Sequence, residues 1–203
     1  MIRQFGVRFA VLLLMAPTAS AIKVPGGLDD CPSIDACLHI LDQVVPVKDD
    51  GEGGNADVLA NKLRRFGDSG KHELLKRANG THPGWRNVAG AILSAWHSWT
   101  PSDVPELQNA LRKDPGGWVA RPLAEIATRE AIQALVEDLP KGSENQKDFA
   151  LSKLGPKAIP YLFPVLESDK NASSAARVIR EMGLTRRHSQ PVGQRLLLTL
   201  DNS

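Results

Sequence analysis

Two cysteines, two groups of arginines and a set of tryptophans are the residues here whose types and spacing suggest chemistry. Cys31 and Cys37 are the only cysteines. In an oxidising compartment such a pair is usually a disulfide. Six residues of helix rise about 9 Å, beyond the roughly 7 Å that bridged Cα atoms tolerate, so both cannot sit inside one helix and be bonded. Pro32 favours a first helical turn and leaves Cys31 outside it, able to fold back towards Cys37. A metal reading with His39 lacks a fourth ligand nearby.

Arg121, Glu125 and Arg129 share four-residue spacing, which predicts one helical face, and Arg177, Arg180 and Glu181 repeat the pattern later. Such a ridge suits an acidic or mixed-charge segment of a partner. It equally suits a solvated face with internal salt bridges. Trp85 and Trp118 occupy equivalent places after Pro83-Gly84 and Pro115-Gly116-Gly117. They read as platforms for a sugar or peptide, or as wedges between helix pairs, and their repetition favours packing. No Gly-x-Ser-x-Gly, phosphate loop or paired-cysteine zinc pattern occurs. No catalytic residue, metal or cofactor is expected. Asn79-Gly80-Thr81 and Asn171-Ala172-Ser173 are glycosylation sequons in predicted loops.

The elements that must position these residues are helical. The chain has 203 residues, enough for a sizeable core, and its aromatics are sparse at 5 % while helix formers abound. Residues 1–21 read as a cleaved signal peptide: Arg3 and Arg8, a short apolar run, then Ala19-Ser20-Ala21. That run is too short to span a bilayer. Export to the periplasm or outside the cell follows as an expectation, with no membrane anchor after cleavage. Removing both arginines with the signal leaves 23 basic against 23 acidic residues. No global basic field remains, so nucleic acid is not an expected partner. Residues 22–54 are acidic and 61–86 basic.

A frame recurs at a period near thirty residues, the mark of stacked helical pairs. Its clearest copy is Leu154-Gly155-Pro156-Lys157-Ala158-Ile159-Pro160-Tyr161-Leu162. Phe66-Gly67 with Leu74, Trp99 with Leu107, and Ile126 with Leu135 repeat it. Apolar stripes and turn residues predict helices over 32–45, 56–66, 71–78, 85–99, 105–112, from 118 through 126, 131–139, up to 154, 158–166 and 173–182. Ser143 and Gln146 have capping-box spacing. Pro122 and Pro164 lie within predicted helices and should bend or end them. Leu196-Leu197-Leu198-Thr199-Leu200-Asp201 echoes Leu162-Phe163-Pro164-Val165-Leu166-Glu167, as a capping helix or an incomplete further repeat.

Leu154-Gly155 with Ala158-Ile159-Pro160-Tyr161-Leu162 resembles the signature of HEAT repeats, in particular the short HEAT-like repeats named after phycobilisome lyases. Val104-Pro105-Glu106-Leu107 and Ile132-Gln133-Ala134-Leu135 match its central part. The resemblance covers roughly 31–183. It implies a right-handed α-solenoid with first helices outside and second helices lining a concave face. Iron-dependent HEAT-like hydroxylases use several His-Glu pairs, whereas His72-Glu73 is the only one here. No chromophore-handling residue carries over.

The expected architecture is therefore all-α: an α-solenoid of about four to five stacked helical hairpins. Its expected divisions are a signal at 1–21, a cysteine-bearing segment at 22–54, the solenoid at 55–185 and a capping segment at 186–203. The expected role is a non-catalytic scaffold holding a protein or peptide on its concave face, through Trp85, Trp118, Arg121, Arg129, Arg177 and Arg180. The rivals are an envelope-polymer enzyme or enzyme subunit with a tryptophan-lined cleft, and a structural piece of a larger repeat assembly.

Overall fold

The computed structural model describes residues 24–45, 55–114, 116–139, 146–168 and 171–182. The expected signal peptide, the acidic glycine-rich loop, the Ser143 cap and the segment around Leu196 lie outside these residues. Among the described residues there are ten α-helices and no strand. They are α1 (Ile34–Asp42), α2 (Ala56–Leu63), α3 (Gly67–Ala78), α4 (Pro83–Ser94), α5 (Val104–Lys113), α6 (Ala120–Ile126), α7 (Arg129–Glu137), α8 (Gln146–Leu154), α9 (Ile159–Leu166) and α10 (Ala172–Glu181). None is long and apolar enough to cross a membrane.

Most of the described helices bury an apolar stripe, whereas α8 buries Lys147 and Asp148 beside Ala150 and Leu151. In α1 the stripe is Ile34, Cys37, Leu38 and Leu41, and Ser33 caps the start by accepting the Ala36 N–H at 3.2 Å. A 3-10 turn, Arg64–Phe66, extends α2 before Gly67 (φ 54°) redirects the chain. In α7 the buried residues are Ala131, Ile132, Ala134, Leu135 and Val136. One apolar core runs through the molecule from Leu28 to Ile179.

Helix contacts follow chain order in two rows. α1, α3, α5, α7 and α9 touch successively, and so do α2, α4, α6, α8 and α10. α3–α4, α5–α6, α7–α8 and α9–α10 join the rows as hairpins. A single hairpin exposes its stripe, whereas stacked neighbours bury it jointly.

Several boundaries differ from expectation for local reasons. α3 begins at Gly67 rather than residue 71, with Asp68 in its first turn, where the helix dipole favours an acid. α4 ends at Ser94 rather than residue 99. Beyond it Ser98 has φ 69°, Trp99 donates its indole N–H to the Trp96 carbonyl at 2.8 Å, and Thr100 is extended. Thr100 and Asp103 then form a capping box around Pro101 that leads into α5. Pro122 does not break α6, because it occupies the first turn, where few intrahelical bonds to its nitrogen exist to lose. Pro164 does lie inside α9, which stops at Leu166.

Candidate binding surface and its supports

The cysteine pair is bonded, and it closes as the helix geometry requires. Cys31 lies before α1, Cys37 lies within it, and their Cα atoms are 5.4 Å apart. Arg65, in the 3-10 turn that follows α2, grips this loop. Its guanidinium donates to the carbonyls of Leu28 (2.8 Å), Asp29 and Cys31 (3.0 Å). The same group approaches Cys31 Sγ at 3.1 Å and Cys37 Sγ at 3.6 Å. Lys62, three residues earlier on α2, pairs with Asp29 and holds its carboxyl below the usual range, with Arg65 adding to the effect. An open depression lined by Asp29, Val58, Asn61, Lys62 and Arg65 lies beside the loop. From sequence, Arg65 reads only as a cation complementing the helix dipole.

Trp85 is no platform, because it is 2 % exposed. His82 caps α4 through Nδ1, which accepts the Trp85 backbone N–H at 3.3 Å. The Trp85 indole N–H donates to Asp42 at 2.6 Å, and the Arg77 guanidinium lies 4.9 Å from its ring centroid. Arg77 also binds Asp42, at 2.7 and 3.3 Å. Asp42, Arg77 and Trp85 thereby tie α1, α3 and α4 together. Trp118 precedes α6 and is half-buried, and Trp96 is buried. Burial therefore keeps Trp85 from lining a cleft. Residues 84–96 are all buried except the half-buried Arg86, so α4 presents almost no surface.

The arginines separate into different roles. Arg121, Glu125 and Arg129 do not share a helical face. α6 stops at Ile126, Ala127 turns left-handed (φ 53°), and Thr128 caps α7 by accepting the Ala131 N–H at 3.3 Å. Arg129 therefore opens α7, in the other row of helices. Arg121 and Glu125 are exposed on α6, and Glu125 lies 3.7 Å from His97. Arg177 is committed internally: it donates from Nε at 3.0 Å, and again from its Nη2, to Asp148, which is 1 % exposed. Arg180, three residues further, is exposed.

Two other carboxyls, buried Asp114 and half-buried Asp103, support the same stack. Asp114, between α5 and α6, accepts the N–H groups of Gly116 and Val119, each at 3.0 Å. Burial pushes its carboxyl up to about 6, although those N–H groups and Lys147 pull the other way. Gly90 of α4 makes room for it, since a Cβ there would lie 3.1 Å from Asp114 Oδ2. Burial acts to raise Asp103 as well. The Thr100 N–H and Lys71, at 3.1 Å, overcome that and leave it below the usual range.

Exposed groups then collect on three neighbouring helices of one row. They are Arg121 with Glu125 on α6, Phe149 with Lys153 on α8, and Arg180 with Glu181 on α10. Phe149 is 54 % exposed, and the Lys153 ammonium lies 5.0 Å from its ring centroid. Sequence reading passed over Phe149, although its place beside buried Ala150 and Leu151 sets it off the apolar stripe. Among the described residues no group of three or more His, Cys, Asp or Glu is arranged to hold a metal ion. Asn79 Nδ2, in the first sequon, already donates to the carbonyls of Leu75 (2.9 Å) and Glu106 (3.2 Å). Comparison with protein-family models, curated proteins and solved structures returned no match.

Proposed function

We infer that this chain is an exported, non-catalytic scaffold whose two-row helix order is a HEAT-like α-solenoid, and that it binds a protein or peptide partner. The observation that carries the reading is the chain-order contact of alternate helices. Such stacking makes an extended surface of repeated helix faces rather than one enclosed pocket. The Cys31–Cys37 bond fits an oxidising compartment. The binding surface assigned to the scaffold is the α6–α8–α10 strip, where Phe149 supplies an apolar anchor and Arg121, Lys153 and Arg180 supply charge. Arg129, Arg177, Trp85 and Trp118 are left out of it, by placement or by burial.

The test is affinity capture of a partner from envelope extract by the mature protein, with Arg121→Glu/Arg180→Glu and Phe149→Ala variants alongside. A Gln133→Glu variant on α7, in the other row, serves as control. The expected result is a captured protein that the control retains and the strip variants lose. Equal capture by all forms rejects this surface, and a sheet-rich circular dichroism spectrum rejects the solenoid.

A further inference from the structure

The contacts of Arg65 do more than fasten the chain. A backbone clasp needs only the carbonyls of Leu28, Asp29 and Cys31, yet Nη2 also lies 3.1 Å from Cys31 Sγ and 3.6 Å from Cys37 Sγ. A guanidinium at that range stabilises a thiolate on either sulfur. Sulfur that departs as a stabilised thiolate is the better leaving group in exchange. The two cysteines differ in access: Cys37 is fully buried, while Cys31 is 8 % exposed. The open depression lined by Asp29, Val58, Asn61, Lys62 and Arg65 includes neither cysteine in its lining and meets the pair only through Arg65, whose Nη2 touches Cys31 Sγ.

We propose that Cys31–Cys37 is a thiol–disulfide exchange site for small dithiols, activated by Arg65. A reductant thiolate attacks Cys31 Sγ, and the bond between the two protein sulfurs breaks. The bonding pair passes to Cys37 Sγ, beside the Arg65 charge, and that sulfur then takes a proton from water. The second thiol of the reductant loses its proton and attacks the reductant sulfur of the mixed disulfide. This closes a cyclic disulfide and releases Cys31 as a thiolate held by Arg65. Two electrons pass from dithiol to protein, and the reductant leaves oxidised. Leu28, which is buried, and the Lys62–Asp29 pair keep the segment seated through the exchange.

The test uses the folded, oxidised protein with dithiothreitol and no denaturant, following loss of the disulfide by mass. Arg65→Met is expected to react at least about fivefold more slowly than wild type at pH 7, because the leaving thiolate loses its cation. A purely structural Arg65 predicts the opposite, since loosening the clasp exposes the bond and speeds reduction. Equal or faster reaction of Arg65→Met overturns the proposal. Lys62→Met, which cuts the Asp29 tie and leaves the sulfur contacts alone, is expected to keep the wild-type pH dependence. A second measurement needs no variant: the pH profile of Cys31 alkylation in the reduced wild-type protein. Its midpoint is expected below the ordinary thiol value of about 8.5. A midpoint at or above that value overturns the proposal, as does a wild-type bond that resists dithiothreitol until the protein unfolds.

Discussion

Arg177 and Arg180 lie three positions apart on one helix and differ wholly in what they hold. Arg177 faces buried Asp148, 29 residues away in the chain. Removing the cation from such a carboxylate is costly, because the remaining charge was desolvated in expectation of a partner. Arg177→Met should therefore lower stability by roughly 3 kcal/mol. Arg180→Met should change it by no more than about 0.5 kcal/mol. Urea unfolding of both variants checks the contrast, and equal effects would contradict the assigned roles. Asp114 makes a second prediction. Its carboxyl rests at about 6 when folded against an ordinary 3.8, so between those values the folded chain holds more protons than the unfolded chain. The stability from this group is full below 3.8 and is lost as pH rises through about 6. Asp114→Asn lacks that titration. Relative to the variant, the wild-type melting temperature should rise as pH falls from 7 to 4. The cysteine bond was legible from sequence because helix rise and proline placement are local. The Arg177–Asp148 pair was not, because charge types carry no record of which distant partner shares the interior.

At the α6–α7 junction the expected helix limits, 126 and 131, lie close to those observed, and what fails is the single face assigned to Arg121, Glu125 and Arg129. Four-residue spacing joins Arg121, Glu125 and Arg129 only if the helix continues through Ala127. Instead Ala127 is left-handed and Thr128 caps the next helix. An alanine in that conformation costs energy that glycine does not incur. Ala127→Gly should then raise stability by about 0.5–1 kcal/mol, measured by chemical denaturation. A loss would mean that the left-handed turn is wrongly placed. The threonine was available as a signal, since Thr128 precedes Arg129-Glu130-Ala131 as an N-cap precedes a first turn. Thr100 with Asp103 gave the same kind of warning near the end of α4.

At the scale of the whole stack, α4 is the most thoroughly buried of the described helices. α4 touches α2, α3, α5 and α6 and is buried almost throughout. α10 leans on α8 and α9. Amide hydrogen exchange should therefore be slowest in α4, at the level of global unfolding, and faster in α10. Uniform protection along the chain would contradict that order. By itself the sequence determined the helical class, nearly all the helix positions, the recurring hairpins and the cysteine bond. These depend on apolar spacing, turn residues and caps within a few positions of one another. Only the tertiary structure decided that Trp85 is core, that Arg177 is a fastener, that Arg129 lies apart from Arg121, and that Arg65 meets the disulfide. Those outcomes depend on which helix faces meet, and that is settled by the joint burial of stripes far apart in the chain.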